Sequence, residues 1–290
     1  IASDKGKLHV NSGSASSDLS GKACNANTIH WAYDTWMLAN GTGKAIVKSG
    51  GTTWFFLTAD YAFGHSLERD TEAVVVKNGG KVVGKVRHPF PGQDFSSFLL
   101  QAQSSKAKII GLANAGGDTT NAIKQAAEFG IMKGGQNLAG LLVFLPDVHS
   151  LGLNIAQGLM LTETFYWDLN DQTRAFSRRF AAVHNGKMPS MVQAGVYSSV
   201  IHYLKAVDAA NTDDGTKVAA KMKELPTDDP VFGKGSVRAD GRKIHPAYLF
   251  EVKKPSESKG PYDYYKLVAT IPANEAFRPI TDGDCPLVKK

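Results

Sequence analysis

Trp54-Phe55-Phe56-Leu57 is the stretch whose reading decides the fold. Four large apolar residues in a row, without helical spacing, make a short strand buried on both faces. A helical pattern follows over 66–77, with Leu67, Ala73, Val74 and Val76 on one side and Asn78-Gly79-Gly80 as its stop. Lys81 to Val86 is a second strand, and Asp94 caps a helix running to about Gln103. Lys108-Ile109-Ile110-Gly111-Leu112 is another buried strand, and Asn114-Ala115-Gly116-Gly117-Asp118 leads from it into a helix over 119–129. A further strand is expected at Leu141-Leu142-Val143-Phe144. Strand and helix in alternation with short loops imply an α/β fold, a parallel sheet flanked by helices.

Outward from this block the pattern changes. Two longer helices are expected over 171–185 and 192–211, the second with Val196, Val200, Tyr203, Leu204 and Val207 as its inward face, and a third over 217–224. Ser236-Val237-Arg238 and Ala247 to Val252 read as a hairpin around Ala239-Asp240-Gly241-Arg242. At the start, Leu8-His9-Val10 is a strand and residues 29–39 an amphipathic helix. Too small to fold alone, this start is expected to join the helical block. The chain then divides into a first lobe over 1–49 and 163–228 and a second over 50–162 and 229–290.

Length and composition agree with this. The 290 residues, 42% of them hydrophobic, suffice for two modest cores. The net charge of +6, from 33 basic and 27 acidic residues, has no long block of one sign and is not a nucleic-acid signature. No run approaches the roughly 18 apolar residues of a membrane span, and the N-terminus lacks a signal-peptide pattern. Cys24 and Cys285 have no metal-site spacing; two buried thiols or one long-range disulfide are both open.

The candidate chemistry gathers in loops that follow strands, where open α/β sheets hold ligands. Asn11 to Asp18 offers hydroxyls and backbone N–H groups suited to a carboxylate, or else merely caps the next helix. Asn114, Ala115 and Gly116 form a second such loop. Asp60-Tyr61-Ala62-Phe63-Gly64 forms a third, with Phe63 as a possible apolar wall or as cover for the core. Trp31, Tyr33 and Phe144 are aromatics near element ends. No phosphate loop, no Gly-x-Ser-x-Gly elbow and no paired-histidine motif occurs, so neither a catalytic centre nor a cofactor is expected.

As a set, Ser12 to Gly21, Asp60 to Gly64, Lys124 to Gly130, Ala156-Gln157-Gly158 and Gly235 to Arg242 resemble the periplasmic solute-binding proteins of ABC transporters, of the branched-chain amino acid (leucine/isoleucine/valine-binding) type. The resemblance implies a two-lobed type I periplasmic-binding-protein fold hinged by crossovers, which closes on a ligand and delivers it to permease subunits in the inner membrane. Carried over by position, Ser14, Ala15 and Ser16 hold the ligand carboxylate through hydroxyls and N–H groups. Phe63 stands where the family often puts a tyrosine against the ligand, with Trp31 and Tyr33 as further ligand-site candidates nearby, and Asn114, Ala115 and Gly116 touch it from the second lobe. Phe144 stands where amino-acid binders place an acid for the ammonium group, with no acid nearby before Asp147. That favours an aromatic or hydrophobic organic acid over a branched-chain amino acid. A periplasmic location favours the Cys24–Cys285 disulfide.

The resemblance also implies roughly a hundred further residues ahead of the carboxylate loop. Two other function classes remain: a sensor or regulator domain of the same fold, and an α/β enzyme using Asp60, His65 or Asp118.

Overall fold

The computed structural model describes residues 1–289; Lys290, of the basic pair Lys289-Lys290, lies outside them. The chain forms two compact units. Unit 1 gathers residues 1–34, 164–247 and 271–290, and unit 2 residues 35–163 and 248–270.

In unit 1, β1 (His9–Asn11) pairs in parallel with β2 (Thr28–His30), His9 opposite Thr28. Residue 29 is therefore in a strand, not in the expected helix. The chain enters unit 2 through a short α1 (Thr35–Leu38), a π turn and α2 (Lys44–Lys48). There β3 (Thr53–Ala59), α3 (Ala62–Lys77), β4 (Lys81–His88), α4 (Ser96–Ser104), β5 (Ile109–Ala113), α5 (Gly117–Glu128) and β6 (Asn137–Gly140) alternate. They make a parallel sheet of order β4-β3-β5-β6. The side chains of Trp54, Phe56 and Leu57 are fully buried in it.

The last strand of that sheet ends at Gly140, and residues 141–144, expected as a strand, instead lead into α6 (Leu145–Leu151) and α7 (Leu153–Ala156). Asn137 N–H bonds Lys108 O, which sets the register four residues earlier than apolarity suggests. β7 (Met160–Glu163) closes this part of the unit.

Back in unit 1 come α8 (Asp171–Val183), α9 (Met191–Ala210) and α10 (Gly215–Glu224). β8 (Thr227–Asp229), β9 (Gly233–Val237) and β10 (Lys243–Ile244) follow as an antiparallel sheet. The hairpin at 238–242 thus joins β9 to β10. The run expected as its second arm, β11 (Ala247–Val252), pairs antiparallel with β7 and lies beside β12 (Tyr265–Ile271). A short α11 (Ala273–Ala276) precedes the tail.

Three segments fall on the other side of the expected lobe boundaries, each for a packing reason. Residues 35–49 belong to unit 2, because Thr35 Oγ1 donates to Asp70 Oδ2 at 2.6 Å and Thr42 shares a hydrogen bond with Thr162 at 2.8 Å. Residues 229–247 belong to unit 1 because β8–β10 pack on its helices, where the Ser198 hydroxyl donates to Asp229 Oδ2. The tail from 271 also joins unit 1. Cys24 and Cys285 form a disulfide with Cα atoms 5.6 Å apart, and Arg278 Nη2 donates to Ser17 O.

α9 packs with the face opposite to the expected one. Val196, Val200 and Leu204 are exposed, while Ala194, Gly195, Ser198, Ser199 and His202 are buried. Gly195 has no room for a side chain, since a Cβ there would stand 2.8 Å from the Ala32 Cβ. Close backbone approach and hydrogen bonding of Ser198 and His202 have outweighed the hydrophobic stripe.

Unfolded, unreduced protein is expected to show no free thiol on titration. Replacing both cysteines by alanine is expected to lower stability by about 2–5 kcal/mol in denaturant melts, since the bridge closes a very long loop. Two titratable thiols would refute the bridge.

Candidate functional site

In unit 1 the site starts from Asn11, the last residue of β1. Its side chain folds the following loop: Oδ1 accepts from Gly13 N (3.2 Å) and Ser14 N (2.8 Å), and Nδ2 donates to Ser14 O (2.6 Å). Such a side-chain turn is a typical task for asparagine. The resemblance hands Ser14 N–H to a ligand, but here it is spent on Asn11. Ser14 itself is exposed at the loop tip, Ala15 is buried, and Ser16 Oγ accepts from Asp18 N (3.3 Å) to cap the next turn. Ser12 Oγ is buried without a hydrogen bond among the described residues.

Trp31 and Tyr33 support this loop from behind instead of lining a ligand surface. Trp31 is fully buried; its N–H bonds Asn11 O and its Nε1 donates to Ser198 Oγ (2.8 Å). Tyr33 is buried too, and its hydroxyl donates to Gly13 O (2.9 Å).

Behind the loop lies a feature missed in the sequence, two adjacent buried cations. Arg242 Nε lies 3.2 Å from Asp34 Oδ2, Nη1 donates to Tyr33 O, and the guanidinium sits 4.0 Å from the Phe277 ring centroid. Lys243 Nζ is 3.5 Å from Asp229 Oδ2, an ion pair without hydrogen-bond geometry, and 4.4 and 4.9 Å from the Phe232 and Trp31 rings. Asp229 also accepts from Val231 N, Phe232 N and the Ser198 hydroxyl.

Burial pushes Arg242 down to about 10 and Lys243 down to about 8, each partly offset by its aspartate. His30 and His245 are held neutral, by burial first and then by the neighbouring cations. The run Arg242-Lys243-Ile244-His245 gives no periodic signal of burial, so only tertiary contacts reveal this cluster.

In unit 2 the C-terminal ends of β3, β4 and β5 carry the second candidate surface. Asn114 is fully buried: Nδ2 lies 3.2 Å from His88 Nε2, and Oδ1 accepts from Thr119 Oγ1. Its side chain builds the loop. Ala115 and Gly116 are half-buried, and Gly116 (φ 58°, ψ −128°) adopts a backbone that only glycine takes readily before α5.

Phe63 lies in the first turn of α3, which begins four residues earlier than expected, and is half-buried. Its ring meets Tyr61 (centroids 5.8 Å), and Tyr61 stacks on Phe90 (4.3 Å, 17° between planes). Burial and the nearby Asp118 raise the Tyr61 pKa, keeping its hydroxyl protonated. Phe144 precedes α6, and its N–H bonds Asp147 Oδ2 (2.9 Å), so that carboxylate caps its own helix.

His65 Nε2 pairs with Asp60 Oδ1 (2.7 Å), while the neighbouring Ser66 hydroxyl meets Thr35 Oγ1 (2.9 Å). Among the described residues no group of three or more His, Cys, Asp or Glu could hold a metal, and no helix is long and apolar enough to cross a membrane.

Residues 1–261 match the periplasmic binding protein family, and the chain belongs to it. It is similar to a periplasmic binding protein from Burkholderia mallei, with 56% identity and TM-score 0.97 over 100% of this chain and 76% of that one. A branched-chain amino acid ABC transporter periplasmic ligand-binding protein from Burkholderia xenovorans shares 39% identity (TM-score 0.86; 99% and 76% covered). A solute-binding protein of an ABC transporter from R. palustris, solved with benzoate, shares the fold at 22% identity (TM-score 0.78; 94% and 73% covered). The chain spans 63% of the length of the curated relatives it matches. These are solute-binding proteins rather than enzymes, on a type I periplasmic-binding-protein fold.

The buried lysine has a measurable consequence. Its folded-state pKa lies below the unfolded value, so the unfolded chain holds more protons above pH 8 and stability is expected to rise with pH there. Between pH 7 and 9.5 the gain is about 2 kcal/mol. Lys243→Met, which leaves Asp229 three hydrogen-bond donors, is expected to flatten that rise in denaturant melts; an unchanged slope would remove Lys243 as its source.

Proposed function

We propose that the chain is the ligand-capturing part of a periplasmic solute-binding protein that takes up a small organic acid, aromatic or hydrophobic, and passes it to an ABC permease. The observation that carries this reading is the Asn11-folded loop at the end of β1. It presents the exposed Ser14 and a Ser12 hydroxyl without a hydrogen bond among the described residues, with Arg242 and Lys243 buried in the same unit. Strand-end position and hydroxyls suit a carboxylate.

The preference for an acid without an amine rests on unit 2. The carboxylate nearest Phe144 is spent on a helix cap, while Tyr61, Phe63 and Phe90 offer a run of rings. A protein of the same fold that takes benzoate supports that choice. The name of the Burkholderia xenovorans relative supports a branched-chain amino acid as the second reading.

Benzoate and its ring-substituted relatives are expected to raise the melting temperature more than leucine does. Stabilisation by leucine alone would reverse the order of the two readings, and stabilisation by neither would sink both. Asn11→Ala leaves the loop without its internal bonds and is expected to weaken binding of the favoured acid about tenfold or more in calorimetric titration. Unaltered affinity in that variant would move the carboxylate site elsewhere.

A further inference from the structure

Phe90 follows β4 by two residues, on the same strand-end surface as Tyr61 and Asn114. The turn that bears it is fastened on every side. His88 Nδ1 lies 2.9 Å from Pro89 O, Gly92 N donates to Asp118 Oδ1 at 3.1 Å, and Gln125 bridges Gln93 O and Phe95 N at 2.8 Å each. A side chain at position 92 would press on the Phe95 ring at 2.9 Å, so the turn also packs tightly.

His88 and Asp118, both buried, tie this turn to the Asn114 loop through the His88–Asn114 contact. On that base Phe90 nevertheless remains 53% exposed, with its ring stacked on Tyr61. Phe95, five residues on, is by contrast fully buried. A large ring held out of the core by a hydrogen-bonded turn is ready to receive a second planar surface, at little further cost in conformational freedom.

We infer that Phe90 is a specificity-determining residue, stacking on the planar ring of the bound acid. This rests on the organic-acid reading above. Stacking depends on ring planarity and on the π quadrupole, whereas mere apolar cover does not. Phe90 therefore selects flat aromatic acids over saturated acids of equal size.

The test compares benzoate with cyclohexanecarboxylate, alike in size and charge but not flat, by calorimetric titration of wild type, Phe90→Ala, Phe90→Leu and Phe90→Tyr. Because Phe90 is exposed, the variants are expected to melt close to wild type. Wild type is expected to prefer benzoate. Alanine and leucine should each weaken benzoate about fivefold more than cyclohexanecarboxylate, and tyrosine should keep the wild-type ratio within about twofold. Equal losses for the two acids, or none, would overturn the role of Phe90 while wild-type binding upholds the organic-acid reading. Binding of neither acid by wild type would overturn that reading, and the role of Phe90 with it.

Discussion

Unit 1 depends on a pair of buried charges. Three stretches far apart in the chain meet there: Arg242 reaches Asp34 in the first and the Phe277 ring in the third, while Lys243 meets Asp229 within the second. Removing such cations from water costs several kcal/mol each unless partners and rings surround them. Here aspartates answer the charge, and Phe277, Phe232 and Trp31 offer their faces. Arg242 ties the hairpin to Asp34 and to Tyr33 O, and Trp31 N–H and Tyr33 Oη hold the loop after β1. The disulfide then secures the tail to the same unit.

Unit 2 works by a different economy. Its parallel sheet is built from contiguous βα units, and the polar groups at the strand ends are spent on one another: Asn114 with His88 and Thr119, Asp118 with Gly92. What they leave facing outward is aromatic. Polar side chains that seemed ready to touch a ligand thus act as the frame, and the Tyr61, Phe63 and Phe90 rings meet one another beside them.

The α/β alternation of unit 2 was legible because fully buried strands are continuous apolar runs and helices carry a 3.6-residue period. Boundaries shifted where local bonding ruled: at β6, set by Asn137 and Lys108, and at α3, which starts early enough to take in Phe63. The inversion of α9 was not legible. An amphipathic stripe predicts burial by area alone, whereas Gly195, Ser198 and His202 are buried by close approach and hydrogen bonding to residues remote in sequence.

The candidate site divides in the same way. The strand-end loops at 11–18, 60–64 and 114–118 were legible from the residues, because loops follow strands wherever a parallel sheet ends, and the family was legible only as a resemblance of motifs. Only the tertiary structure decided which side chains in and around those loops face outward. Trp31 and Tyr33 turned inward, Asn11 and Asn114 became scaffolds, and Phe90, in an unremarked Pro-Phe-Pro turn, came to stand beside Tyr61. The reason is physical: spacing along a chain reports local conformation, but exposure and partnership depend on which distant segments arrive to satisfy each polar group.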